Sequence, residues 1–548
     1  MTDPIRQKFV FFTLGFLLLG GFVSGCVRGL QSRSPLATSK VMNFTEFQVA
    51  DVGQASAAPA APGCGDQCQN RRQEFRYVVY VGKEIYSYWD YAAVNNQTDF
   101  VQLAATLENE ITDSTSSTDY YLILRNWASS LQDGHVNVMT NSANDSAAAL
   151  EVYSAPIRVQ VLAPATDHEK VIVSAVDAGV QGIKVGDEIT AVNGVAVHDA
   201  LTVASQTLSS GSTERMRRWA AGSRIVDALG AENGSQPFVV TVNPLAGGSP
   251  TQVTLYRNAM ILAAPVAGAS PSAPDTGASL FSVRILPNSI GYFRLDGFTG
   301  SQDEALIEEA MDRLADTKGL ILDLRKNGGG DLSGNRIIER LISAATSRYK
   351  TSVRLSDYLM SQEPSVFNLT PDPSGLFSVY TDVMVQPNKK SHYAGPVVAL
   401  ISPNCFSACD TFSAGLKGNK LATFVGESTG GGTGTPLVFD LPYSGLQFRY
   451  SVSRGQTVLG VGIEGIGTAP DFYVEPTVQD IAHGTDGQLQ TAVAVVMNLI
   501  NTGVASTAAP AVPVDLSGVA NVWSQDFKSS PTLIENDFLV RIGKSDEM

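Results

Sequence analysis

The period of the apolar positions changes along the chain and divides it into stretches. Residues 73–132 carry apolar and aromatic side chains at helical spacing, including Tyr77, Tyr80, Tyr86, Trp89, Tyr120, Tyr121 and Trp127. This predicts a small helical N-terminal domain over 73–145, with Leu131-Gln132-Asp133-Gly134-His135 at the end of its helical part. From 150 to 258 the pattern shortens to β-type runs such as Ile157 to Leu162 and Val171 to Val176. Within that region Gly186-Asp187 turns the chain into a strand and Asn193-Gly194 closes a tight turn. Residues 203–235 read as an insertion in this β-domain. The Ala, Pro, Ser and Gly of 259–280 read as a linker. From 281 to 503 strands and helices alternate. Ile290–Leu295, Gly319–Leu324 and Val397–Ile401 read as strands, and Glu304–Leu314, Leu332–Ile342 and Phe406–Leu416 as helices. That alternation predicts an α/β core. Residues 504–548 are low in pattern and are expected to form a peripheral tail.

Length and charge narrow the picture. A chain of 548 residues is too long for one core. Its formal net charge of −15 argues against a nucleic-acid partner, which needs a basic surface. At the N-terminus, Arg6 and Lys8 precede an apolar run from Phe9 to Phe22, of signal-peptide length and short for crossing a bilayer. Val23-Ser24-Gly25-Cys26 then resembles the lipobox of bacterial lipoproteins. The resemblance implies a signal peptide, 1–25, removed before Cys26, a lipid on its sulfur, and a tether over 26–72 that includes the Ala/Pro-rich Ala55–Pro62. An uncleaved anchor helix is the other reading. Both place the body outside the cytoplasm and make the membrane a partner. Val27, rather than an aspartate, favours the outer membrane by analogy with lipoprotein sorting.

Four further cysteines form two pairs, Cys64/Cys68 and Cys405/Cys409. Export permits disulfides. One is expected at 64–68, and 405–409 stays open. A zinc site built from all four is disfavoured, because the pairs lie in segments of different character and no histidine stands near either at ligand spacing. No metal or cofactor is expected.

Three segments carry chemistry. Asp323-Leu324-Arg325-Lys326-Asn327-Gly328-Gly329-Gly330 runs from a buried strand into three glycines, where bare N–H groups could face a developing anion. In isolation this could equally be a tight strand–helix turn. Ser402-Pro403-Asn404-Cys405-Phe406-Ser407-Ala408-Cys409 runs from a buried strand to a helix start. Ser407 there is either a nucleophile at a positive helix end or an ordinary cap, a role Asn404 could also fill. Ile463-Glu464-Gly465 places a carboxylate before a Gly-rich turn, where solvent exposure is the usual fate of a glutamate.

Together these segments resemble the C-terminal processing (tail-specific) serine peptidases, and within them the tricorn-like branch. The stretch around Gly186-Asp187-Glu188-Ile189 and Val192-Asn193-Gly194 looks like a PDZ domain. The resemblance covers roughly 75–480 and implies an α/β protease core with an N-terminal helical domain and an inserted PDZ-like β domain. It implies Ser407 as nucleophile, His135 as base and Glu464 as supporting acid. Gly328 or Gly329, with Ala408, would form the oxyanion hole. The branch that uses a lysine base is disfavoured, because Gly430–Thr433 stands at its place and no lysine lies between Lys420 and Lys528. One departure is Gly134, where the tricorn-like pattern has a serine. The implied partners are polypeptides, gripped by their C-terminal tails through the PDZ-like domain. The alternative is a catalytically weak relative that serves as a peptide- or ligand-binding lipoprotein.

Overall fold

The computed structural model describes residues 64–96, 98–140, 150–229, 234–262, 281–298, 301–389, 391–507 and 521–525. The expected signal peptide, Cys26, and most of the tether, linker and tail lie outside these residues. Among the described residues no helix is long and apolar enough to cross a membrane.

The N-terminal part comprises α1 (Asp66–Ile85), α2 (Trp89–Asn95), α3 (Phe100–Glu110), α4 (Ser117–Ser130) and β1 (Asn137–Thr140). Helix α1 starts inside the expected tether, with the Cys64–Cys68 disulfide at its first turn. Asp99 caps α3, and Ser116 with Asp119 forms a capping box on α4. These helices do not keep a core to themselves. Phe75, Val78, Tyr86 and Trp127 share a single core with Phe439, Phe448 and Tyr450, more than 300 residues later. Trp127 donates its indole N–H to Tyr450 Oη at 2.8 Å.

The β-domain contains β2 (Leu150–Ser154), β3 (Ile157–Leu162), β4 (Lys170–Val176), β5 (Glu188–Val192), β6 (Val195–Ala196), α5 (Val197–Thr207), α6 (Glu214–Arg224), β7 (Ala228–Leu229), β8 (Phe238–Asn243), β9 (Thr251–Leu255) and β10 (Asn258–Leu262). Its main sheet runs β3-β4-β5-β8-β9, with β6 paired to β5. Asn193 and Gly194, at φ of 49° and 78°, make the expected turn from β5 to β6. Strands β2 and β10 pair antiparallel and close the base of the domain, so the expected linker opens with a strand. The expected insertion divides between the end of α5, the turn after it, α6 and β7. Helix α6 packs on both β3 and α5. Gly222 permits this approach, since a Cβ there would lie 2.8 Å from Val161 Cγ2.

The core follows: β11 (Phe281–Leu286), β12 (Ile290–Leu295), α7 (Ser301–Arg313), β13 (Gly319–Asp323), α8 (Asn335–Leu341), β14 (Thr346–Val353), β15 (Thr381–Val385), β16 (Val397–Ile401), α9 (Ala408–Gly418), β17 (Thr423–Gly426), β18 (Pro436–Asp440), β19 (Leu446–Ser451), β20 (Ser453–Gln456), β21 (Phe472–Tyr473), α10 (Gly487–Thr502) and β22 (Asn521–Gln525). The seven-stranded sheet has the order β21-β17-β16-β13-β12-β11-β22. Strands β12, β13, β16, β17 and β21 are parallel. The last of the seven, β22, falls in the expected peripheral tail and pairs antiparallel with β11. Every residue of β13 and β16 is buried, as parallel interior strands covered on both faces require. Ile321, Val398 and Leu400 face α10. Their neighbours Leu320, Leu322, Ala399 and Ile401 face the layer of α7, α8 and α9.

Candidate active site

Strands β13 and β16 are parallel neighbours with Asp323 opposite Leu400, so the loops leaving their C-terminal ends lie side by side. Ser402 Oγ donates to Arg325 O at 2.6 Å, and Phe406 N donates to Asn327 O at 3.2 Å, which stitches the two loops together. Ser407 follows as the residue before α9. Its backbone is held at φ 60°, ψ −118°, a conformation costly for any residue with a side chain. Its hydroxyl makes no capping bond. Instead Oγ lies 2.8 Å from His135 Nε2.

The surroundings over-determine this strained turn. A Cβ at Gly329 would come within 2.6 Å of both Phe406 O and Ser407 Cβ, so only glycine allows the glycine loop to press against the serine. The Cys405–Cys409 pair, left open by the sequence, is a buried disulfide that spans Ser407. Asp410, fully buried in the first turn of α9, reaches back to the Ser407 backbone. It also accepts hydrogen bonds from Thr429 Oγ1 and from the N–H groups of Gly431 and Gly432. Burial pushes its carboxyl up to about 7 against the pull of these donors.

The candidate oxyanion donors separate into two kinds. Gly329 N donates to Asn327 Oδ1 at 2.9 Å, so its N–H is already engaged. The N–H groups of Gly328 and of Ala408, the residue after Ser407, have no acceptor among the described residues.

His135 arrives from outside the sheet, just before β1, which pairs with β19. Asp133 holds its backbone: Oδ1 accepts the His135 N–H at 2.7 Å and Oδ2 accepts the Ser451 hydroxyl at 2.8 Å. The imidazole stacks on Phe406 with ring centroids 4.6 Å apart. Burial, with a contribution from the Arg449 charge, pushes His135 down to about 3. It is therefore neutral at physiological pH, the state a general base needs. The stacking ring also accounts for Gly134. A Cβ at 134 would lie 2.4 Å from Phe406 Cζ, and one at Gly432 would lie 1.7 Å from Cε2. The Phe406 ring fills the space that a serine at 134 would need.

Glu464 reaches the same region without touching the imidazole. Its Oε2 accepts the Thr433 N–H at 2.6 Å. Its Oε1 and His135 Nδ1 are both buried without a hydrogen-bond partner. The carboxylate oxygen that stands as an ion-pair neighbour of Nδ1 is Asp133 Oδ1, at 3.8 Å. Burial first, and then the Asp133 charge, push Glu464 well above the usual carboxylate range. Burial likewise raises Asp133 to about 6. Two buried carboxyls that repel in this way do not both ionise easily. Sequence reasoning missed Asp133, Phe406, Asp410 and Arg449 as parts of the site. Asp133 and Phe406 were adjacent to residues already singled out, and only the fold gives them a role.

Residues 289–474 match Peptidase family S41. The chain is 26% identical over 260 residues to the "C-terminal processing peptidase, chloroplastic" of Tetradesmus obliquus, covering 46% of this chain and 49% of that protein. It is 25% identical over 202 residues to the "Carboxy-terminal-processing protease" of Bartonella bacilliformis, covering 36% and 41%. The chain thus spans about half or less of the length of these curated relatives. The fold resembles solved mature CPAF with a TM-score of 0.65 at 18% identity, over 80% of this chain and 99% of that one. Mature CPAF complexed with lactacystin gives a TM-score of 0.64 at 17% identity, over 79% and 99%. At such identity the likeness is one of fold. From the first parallel strand of the sheet to the last, residues 289–474 are thus similar to peptidase family S41, and the curated relatives that match the chain are named as C-terminal processing peptidases.

Proposed function

We propose that this protein is a serine endopeptidase that hydrolyses polypeptides near their C-termini. The observation that carries the reading is the 2.8 Å contact between His135 Nε2 and an uncapped Ser407 hydroxyl on a strained strand-to-helix turn. Ser407 Oγ attacks the scissile carbonyl while neutral His135 takes its proton and later passes it to the leaving amine. The N–H groups of Gly328 and Ala408, aided by the start of α9, receive the oxyanion. Glu464 balances the imidazolium as it forms, by the logic of a serine–histidine–acid triad. Its raised pKa fits that role, because the charge is favoured only when the imidazole becomes positive.

The β-domain is proposed to grip the substrate's tail as an added strand along β3, beside α5. Helix α6 packs on both elements, so a tail binds there only when α6 moves aside. The lipobox-like start implies a lipid on Cys26 and an envelope location, with the outer membrane favoured.

Labelling of the detergent-solubilised full chain with a fluorophosphonate probe tests the reading. The parent should label, Ser407→Ala should not, and His135→Ala should label far more slowly. A parent that binds peptides and never labels would instead be a binding lipoprotein.

A further inference from the structure

The turn between α5 and α6, residues 208–213, reaches out of the β-domain into the candidate active site. Arg125 of α4 donates to Leu208 O at 2.9 and 2.8 Å. Ser210 Oγ donates to Val136 O at 3.3 Å. Ser212, buried, accepts the Gly134 N–H at 3.1 Å, next to the proposed base. An oxygen that accepts there still has its own proton to place. The backbone of Ser212 packs against the Glu464 turn, because a Cβ at Gly465 would lie 3.7 Å from Ser212 O. Ser212 and Glu464 also line one cavity of about 220 Å³. Glu464 Oε1 is a buried acceptor without a hydrogen-bond partner among the described residues.

We propose that Ser212 is a positioning residue that ties the Glu464 carboxyl to the backbone beside His135. Its hydroxyl accepts from Gly134 and donates toward Glu464, so the β-domain completes the acid end of the triad. The assignment rests on the peptidase reading above. It also gives the turn after α5 a task in the chemistry, while α6 covers β3. The other groups acting on Glu464 are Asp133 and Asp410, which raise its pKa, and the Thr433 N–H, which lowers it. Tyr88, Glu214 and Arg217 share its cavity. The Ser212 hydroxyl acts in the same sense as Thr433 and favours the ionised carboxyl.

The test is the rate of fluorophosphonate labelling of the full chain against pH, in the parent, Ser212→Ala, Ser212→Thr, Glu464→Gln and the Ser212→Ala/Glu464→Gln double variant. Ser212→Ala should slow labelling by about ten- to hundredfold, the size of one hydrogen bond to a charged group. It should also move the acid limb of the profile upward by about one unit, because the carboxyl loses a donor that favours its charge. Ser212→Thr, which keeps the hydroxyl, should restore the parent limb. In the Glu464→Gln background, Ser212→Ala should change nothing further. A labelling parent whose limb is unmoved by Ser212→Ala overturns the inference alone, as does an equal loss in both backgrounds. A parent that never labels overturns the peptidase reading and this inference together.

Discussion

The two halves of the proposed catalytic pair are built by different means. Ser407 sits where two parallel strands end, with its turn held by a disulfide, by Asp410 and by the close approach of Gly329. All of these groups lie in the loops leaving the sheet or in the first turn of α9. His135 comes from a segment that no strand of that sheet contains. It is held by Asp133 against β19, by the Phe406 ring and by a turn of the β-domain. The proposed nucleophile is held by the core's own loops and the helix that follows, and the proposed base by contacts among three parts of the chain. Changes at contacts to the base should therefore cost activity before they cost stability.

The largest expected effect treats both halves alike. Ser407→Ala should lower peptide hydrolysis by about four orders of magnitude or more, with little change in melting temperature. Gly134→Ser comes next and separates the halves. Its side chain would meet the Phe406 ring and displace the imidazole, lowering the labelling rate by about a hundredfold. Combining it with Phe406→Ala should remove most of that added loss. An equal loss with and without the ring would mean that the steric account is wrong. Asp133→Asn should reduce labelling by about tenfold through the loosened His135 loop. It should also move the acid limb downward, because the charge that raises Glu464 is gone. This shift is opposite in sign to that of Ser212→Ala, so the two variants test the same carboxyl from both sides.

Smaller effects are expected on the nucleophile's side. Replacing Cys405 and Cys409 by serine opens a short loop and should cost about 2 kcal/mol of stability. Labelling should stay within a few-fold of the parent, because the sheet still sets the turn. A far larger drop would show that the disulfide, and not the strand ends, holds Ser407. The mildest case lies where α6 meets the core. Glu427, which burial pushes up to about 7, faces Arg215 of α6 at 3.3 Å, with Glu475 beside it. Its raised carboxyl pKa contributes stability at low pH that is lost as pH rises from the ordinary carboxylate range through 7. Thermal unfolding of Glu427→Gln should vary less over that window, by about 1–2 kcal/mol, with labelling unchanged.

The sheet was the most legible part of the molecule. Ile157–Leu162, Ile290–Leu295 and Val397–Ile401 are strands with the bounds their apolar runs predict. Continuous burial leaves a strand no other pattern to adopt. The turns at Asn193-Gly194 and Gly329 were legible because their conformation or crowding admits few residues. The Ser407–His135 contact came from motif resemblance, since no local pattern joins positions 272 residues apart. The reach of α1 back to Asp66, the strand β22, and the engagement of Gly329 N by Asn327 could not be read. Each depends on a partner distant in sequence or on a side chain's choice among several donors. The position of Ser212 was hidden in the same way. A serine in a small-residue turn carries no signal until the fold puts a backbone N–H and a carboxyl on either side of it.

The shared core has a consequence for how the molecule is made. Glu74 of α1, fully buried, accepts the N–H groups of Tyr443 and Ser444 at 2.7 and 3.1 Å, across 369 and 370 residues. Tyr77 meets Tyr358, and Trp127 meets Tyr450. Contacts of such high order form late, because the chain must first close very long loops. The N-terminal helices can therefore complete their core only once β19 is present, and the seating of His135 beside Ser407, through β1 on β19, must wait for it. Until then Ser407, the proposed nucleophile, stands without its proposed base.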